Sequence, residues 1–133
     1  MPALLDTDVI IHLRDGDAWT ECQVGSLMPP LFISSISRVE LENGAERDHG
    51  RERRALLDHV LGYVATLDFG AAEIAAYRRI VKATSYSRRK TADRMTAATA
   101  LAQGLPLVTM NGRDFRDVPG LELVEWERAE GYL

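Results

Sequence analysis

The 133-residue sequence predicts an α/β fold in which a mostly parallel sheet is covered by helices. Three observations lead there. Short apolar runs at Leu4-Leu5, Leu31-Phe32-Ile33-Ser34 and Leu105 to Met110 have the length and composition of buried strands. Between them lie longer segments with apolar residues at helical spacing, opened by capping residues. Strand and helix signals alternate along the chain, an order that calls for right-handed crossovers between parallel strands. The length fits one domain over residues 1–133, able to bury roughly two thirds of the surface its unfolded chain exposes.

Taken in order, Leu4-Leu5 forms the first strand and leaves Asp6 at its carboxyl end. Thr7 or Asp8 caps the helix carrying Val9, Ile10 and Leu13. Asp15-Gly16-Asp17 breaks the chain, and Asp17 caps a second helix running through Trp19, Val24 and Leu27 to the stop at Pro29-Pro30. After the strand at Leu31 to Ser34, Ser37-Arg38-Val39-Glu40 has the form of a capping box opening a helix with Val39 and Leu41. Asn43-Gly44 punctuates the chain before an amphipathic helix over His49 to Leu61.

Tyr63 to Leu67 is strand-like, and Ala71 to Ala83 is helical with Ile74, Tyr77, Ile80 and Val81 as its buried positions. Thr84 to Lys90 is a polar loop. Thr91 or Ala92 starts an alanine-rich helix that ends at Gly104, with Asp93 in its first turn and Ala97, Ala98, Ala100 and Ala102 small enough for close packing on a sheet. The strand at Leu105 to Met110 ends at Asn111-Gly112-Arg113-Asp114-Phe115, and Leu121 to Trp126 supplies a final strand at an edge.

Composition narrows the class. Cys22 is the single cysteine, so no intrachain disulfide forms, which suits a reducing cytosol. The amino terminus shows no secretory pattern and no apolar run approaches a membrane span, so a cytoplasmic location is expected. The net charge of −4 conceals a basic stretch. Between Ile74 and Arg94 stand Arg78, Arg79, Lys82, Arg88, Arg89, Lys90 and Arg94 against Asp93 alone. Part of it suits a phosphate backbone; a solvated helix face explains Arg78, Arg79 and Lys82 equally well.

In an open α/β sheet the ligand crevice lies outside the carboxyl ends of the strands, where this reading puts Asp6, Glu40 and Asp114, with Asp93 opening a neighbouring helix. Carboxylates gathered at one rim repel and raise one another's pKa, and a cation keeps them ionised together. An all-oxygen set, with no pattern in His12, His49 and His59, selects Mg²⁺ or Mn²⁺ over zinc. Each acid also has a structural use. Asp6 can cap a helix, Glu40 can close its capping box, Asp93 can favour a helix dipole and Asp114 can sit in a turn.

The motifs Leu4-Leu5-Asp6-Thr7-Asp8-Val9, Ser37-Arg38-Val39-Glu40-Leu41 with Gly44, Asp93 to Ala100, and Leu107-Val108-Thr109-Met110-Asn111 with Asp114-Phe115 resemble, in order and spacing, those of PIN-domain ribonucleases. Over nearly the whole chain the resemblance is closest to VapC toxins of bacterial toxin–antitoxin pairs. It implies a three-layer α/β/α sandwich and Mg²⁺- or Mn²⁺-dependent RNA cleavage. It also implies a cognate VapB-type antitoxin filling a groove between the early helices, and a homodimer. Carried over by position, Asp6, Glu40, Asp93 and Asp114 form the metal-binding acidic set, with Thr7 and Asn111 as polar supports and Thr109 behind them. The sequence departs from the pattern at Asp8, where Asn or Ser is usual, at Thr96, where Ile is usual, and at Met110, where a basic residue is common.

On this reading the RNA contacts fall to Arg88, Arg89, Lys90, Arg94, Arg113 and Arg116. Two other classes stay open. Asp6-Thr7-Asp8-Val9 also resembles the nucleophile loop of haloacid-dehalogenase-type phosphatases, though only Lys82 and Lys90 are present to serve such a site. A non-catalytic binding module would use the acidic rim to dock a basic peptide. Apolar positions such as Ile11, Leu13, Trp19 and Leu41 serve core packing first.

Overall fold

The computed structural model describes residues 1–47 and 50–128. In chain order the elements are β1 (Ala3–Leu5), α1 (Thr7–Arg14), α2 (Ala18–Gly25), β2 (Leu31–Ser34), α3 (Ser35–Arg47), α4 (Arg51–Leu61), β3 (Ala65–Leu67), α5 (Ala71–Thr84), α6 (Thr91–Gln103), β4 (Leu107–Thr109), a 3-10 turn (Gly112–Asp114) and β5 (Leu123–Glu125). The strands form one parallel sheet in the order β3-β2-β1-β4-β5.

Side chains alternate across the pleat, so the central strand feeds two cores. Ala3 and Leu5 pack with Val9 and Ile10 of α1, Leu41 of α3 and Leu57 and Leu61 of α4. Leu4 packs the other way, with Ala76 and Ile80 of α5, Ala97, Ala98 and Ala100 of α6, and Phe115. The result is the predicted α/β/α sandwich, with alanines bringing α6 close to the sheet. The chain adds β2 and β3 on one side of β1, then crosses back to add β4 and β5 on the other. The switch point therefore lies between the carboxyl ends of β1 and β4, at Asp6 and Met110.

Several local expectations need correction. Asp6, rather than Thr7 or Asp8, caps α1. The helix after β2 begins at Ser35, not Ser37, and runs through Asn43-Gly44 to Arg47. Gly44 keeps a negative φ, so it does not form the left-handed turn that ends helices, and burial of Leu41 on the sheet outweighs the weak propensity of one glycine. Ile74 is 57% exposed. The inward stripe of α5 instead runs through Glu73, Ala76 and Ile80, and Glu73 satisfies its buried carboxylate by accepting from Gly70 N at 2.8 Å and Gln103 Nε2 at 3.2 Å. The helix expected from His49 starts at Arg51; His49 lies outside the described residues. Among the described residues no helix is long and apolar enough to cross a membrane.

Candidate active site

Asp6 joins the sheet to α1. Its backbone N–H donates to Val108 O at 2.9 Å, extending the ladder one rung beyond β1. Its side chain is divided: Oδ1 accepts from Thr7 N at 2.8 Å, and Oδ2 accepts from Thr109 Oγ1 at 2.8 Å. Thr109, fully buried at the end of β4, also accepts from Asn111 N at 3.0 Å. One hydroxyl thus fixes the carboxylate of β1 to the loop after β4, across the switch point.

Asp8 sits one turn-position further on. Its Oδ2 accepts from Met110 N at 3.2 Å and lies 3.4 Å from Thr109 Oγ1, whose one proton goes to the nearer Asp6. Its Oδ1 is buried with no hydrogen-bond partner among the described residues. A buried carboxylate oxygen left unpaired is costly unless a cation or water meets it.

Glu40 reaches the rim from α3. It accepts from Thr7 Oγ1 at 2.8 Å instead of closing a capping box with Ser37. Asp93, half-buried, comes from the first turn of α6, and Asp114, in the 3-10 turn, accepts from Asn111 Nδ2. Behind Glu40 and Asp93 lies a buried hydroxyl group of three. Ser34 Oγ is 3.1 Å from both Ser37 Oγ and Thr96 Oγ1, and accepts from Ser37 N at 3.0 Å. Since Ser37 precedes Glu40 by three residues and Thr96 follows Asp93 by three, this knot sets the two acid-bearing helices against β2. In the sequence Thr96 is only a departure from the usual Ile, and Ser34 only the last residue of a strand; a hydroxyl on the alanine face of a helix, matched by a serine ending a strand, is the signal that links them.

The electrostatics follow from the placement. Burial first, then the charge of Asp8, pushes Asp6 up from 3.8 to about 7, against the pull of its Thr109 and Thr7 hydrogen bonds. Asp93 is pushed up to about 6 by burial, then by Asp114, Glu40 and Asp8. Burial also raises Asp8, opposed by the Met110 and Val9 N–H groups. These mutual influences bring all five acids to one rim. Among the described residues no three carboxylate, imidazole or thiolate groups are already drawn into an ion cage. The donor chemistry nonetheless fits a hard divalent cation: oxygen ligands only, one of them buried and unpaired among the described residues, and acids whose charges are offset only in part, by Lys90 beside Asp93 and His12 beside Asp8.

The expected basic residues divide. Arg88, Arg89 and Arg113 are exposed, and Lys90 is half-buried beside Asp93. Arg94 is a correction: it is 3% exposed, donates through Nη1 to Ser85 O and through Nη2 to Asp117 Oδ2 at 3.2 Å, and so braces the loop before α6 against the segment after Asp114. Arg116 spends its guanidinium on Glu125 Oε1, with Nε at 3.0 Å and Nη2 at 2.6 Å. Glu125 lies so close over Gly112 that a Cβ there would stand 1.8 Å from Oε1, so a side chain at 112 would require the exposed Glu125 to swing aside.

Fold and site together define a doubly wound α/β protein with an acidic centre at its switch point. Residues 3–121 match the PIN domain, and the chain belongs to the PIN-domain family, alongside relatives named VapC. Ribonuclease VapC1 of Rickettsia felis is 33% identical over 131 residues, covering 93% of this chain and 96% of its own length. The tRNA(fMet)-specific endonuclease VapC of Shigella flexneri is 29% identical over 127 residues, covering 92% and 96%. The crystal structure of VapBC2 from Rickettsia felis, bound to a DNA fragment from the promoter, has the same fold at a TM-score of 0.82 and 23% identity, covering 96% of this chain and 100% of that one.

Proposed function

We propose that this protein is a metal-dependent endoribonuclease and the toxin of a toxin–antitoxin pair, with residues 1–133 acting as a single PIN-like unit in the cytoplasm. The observation that carries the reading is the meeting of Asp6, Asp8, Glu40, Asp93 and Asp114 at the switch point, where the charge of Asp8 helps to raise both Asp6 and Asp93 and a buried Asp8 oxygen has no partner among the described residues. Such a rim is poorly suited to standing empty of cations. The names of the VapC relatives supply the substrate class, RNA.

Asp6, Glu40, Asp93 and Asp114 hold Mg²⁺ or Mn²⁺, and Asp8 is near enough to share the load. When bound, the ion supplies Lewis-acid charge and acidifies a water for in-line attack on the phosphodiester. Thr109 and Thr7 orient Asp6 and Glu40, and Asn111 orients Asp114. Arg88, Arg89 and Arg113, all exposed, and Lys90, half-buried, are the candidates to meet phosphates. A VapB-type antitoxin is the expected partner, since structural relatives include VapBC assemblies, and a homodimer is the expected unit.

The test is inducible expression of wild type beside Asp6→Ala and Asp93→Asn, with mapping of RNA 5′ ends. Wild type arrests growth and yields discrete new ends; each variant cuts about a thousandfold more slowly. Growth without new ends in wild type sinks the toxin reading. A parallel Mn²⁺ titration separates enzyme from docking module: saturable binding that disappears in Asp6→Asn belongs to the enzyme.

A further inference from the structure

Beside the acidic rim, and sharing Met110 and Asn111 with it, the surface opens into a cavity of about 300 Å³. That volume is at the small end of ligand sites, suited to one nucleotide rather than to a peptide helix. One wall is the half-buried Trp126, set edge to face against Trp19 at 6.4 Å and so limited in its own motion. The rest pairs two carboxylates with two guanidiniums, and one of the guanidiniums, Arg116, is already spent on Glu125. Glu125 and Glu127 both line it, and Asn111, whose Nδ2 is committed to Asp114, turns its carbonyl oxygen to other use. Both Arg116 contacts fall on Oε1 of Glu125, which keeps that carboxylate in place over Gly112. The exposed Arg113 at the mouth supplies a cation for phosphate.

An aromatic wall with carboxylate acceptors matches an unpaired base that stacks and presents adjacent N–H groups. Guanine does so through N1–H and N2–H₂ on its Watson–Crick edge. Uracil places a carbonyl on each side of its single N–H and would turn these oxygens toward the carboxylates. We propose that this cavity is a recognition subsite for one unpaired guanine of the RNA, stacked on Trp126 with its Watson–Crick edge toward Glu127 and Glu125. The inference rests on the ribonuclease reading for its ligand class, but its test does not need cleavage.

The indole N–H signals of the ¹⁵N-labelled full chain are followed by NMR during titration with GMP, AMP, CMP and UMP, and Trp126→Phe assigns the Trp126 signal. GMP shifts that signal saturably and binds about tenfold more tightly than UMP. Glu127→Gln, a change at an exposed position, brings the two nucleotides close to parity. No Trp126 response to GMP, or equal binding of UMP by wild type, overturns the subsite. Mn²⁺ titration and RNA cleavage on the same preparation keep the two readings apart. Metal-dependent cutting without a GMP response removes the subsite alone, whereas a selective GMP response without metal binding or cutting removes the nuclease and leaves a guanine-nucleotide site.

Discussion

Acids on the flanks of this molecule and acids at its switch point live under opposite rules. On the flanks three acids are each paired with an arginine. Arg128 and Thr20 hold Asp17 well below the usual carboxylate range, Arg54 lowers Glu42, and Arg116 lowers Glu125. At the switch point no arginine pairs with an acid among the described residues, the acids crowd one another, and Asp6 and Asp93 rise to about 7 and about 6. The chain has arginine within reach of the rim, since Arg94 adjoins Asp93, yet it buries that side chain against Ser85 and Asp117. Leaving the rim crowded costs the fold stability, and that is the cost the proposed metal site would explain.

The largest consequence is a pH dependence of stability in the metal-free protein. The Asp6 carboxyl holds its proton more tightly folded, near 7, than unfolded, near 3.8. Its contribution is therefore complete below about pH 4 and is lost as pH rises through about 7, up to roughly 4 kcal/mol. The flank acids, with lowered values, work in the opposite direction and at lower pH. Urea unfolding in chelator should show a midpoint falling from about pH 5 to about pH 8, and added Mn²⁺ should recover the loss. Asp6→Asn should flatten the profile and remove the Mn²⁺ effect. A wild-type midpoint that does not fall over this range would erase the contrast between rim and flank.

Next in size is the buried brace. Arg94→Ala strips the Ser85 carbonyl and Asp117 of a donor at a site that is almost fully enclosed, and should cost about 3 kcal/mol in chemical unfolding. Asp117, being largely exposed, tolerates Asn with a much smaller loss. Equal losses for the two would show that the brace works as an ion pair and not through the Ser85 carbonyl.

Thr109→Val sharpens the rim side of the comparison. It keeps the shape and removes the hydroxyl that donates to Asp6 and accepts from Asn111 N, for a loss of about 1–2 kcal/mol. Because that donation favours the ionised form, Asp6 should titrate higher in the variant, visible by carboxyl-carbon NMR. An unchanged titration would mean that Asp6 is governed by burial and Asp8 alone.

The strand-helix alternation and the strand-end position of Asp6 could be read from residues because both depend on local pattern: a short apolar run, a cap, a turn. The acids at 40, 93 and 114 could be listed for the same reason, and their order matched a family. What stayed hidden depends on distance in the fold. Arg94 looked like one more cation in a basic run, but the first turn of α6 points it inward, toward partners nine residues before and 23 after. Thr96 shows in the sequence only as a departure from the usual Ile, and its partner Ser34 lies 62 residues away. Ile74 and Gly44 were misjudged where a one-residue shift of a helix face, or a buried leucine, outweighs local propensity.

The smallest effect belongs to the flank pair most crowded with charge. Arg54 contacts both Glu42 and Asp58, the latter at 3.0 Å, and the interaction lowers Glu42, yet all three side chains are more than a third exposed. Water and salt screen such a pair, and ordering two long side chains offsets most of what the contact contributes. Arg54→Ala should therefore leave the unfolding midpoint close to wild type, and the small difference should vanish when salt is raised to about 1 M. The Asp6 pH profile should persist in the same salt, because its dominant cause is burial rather than a distant charge. Salt is thus the variable that separates the two populations of acids: it silences the paired ones on the flank and leaves the crowded ones at the switch point still raised by burial.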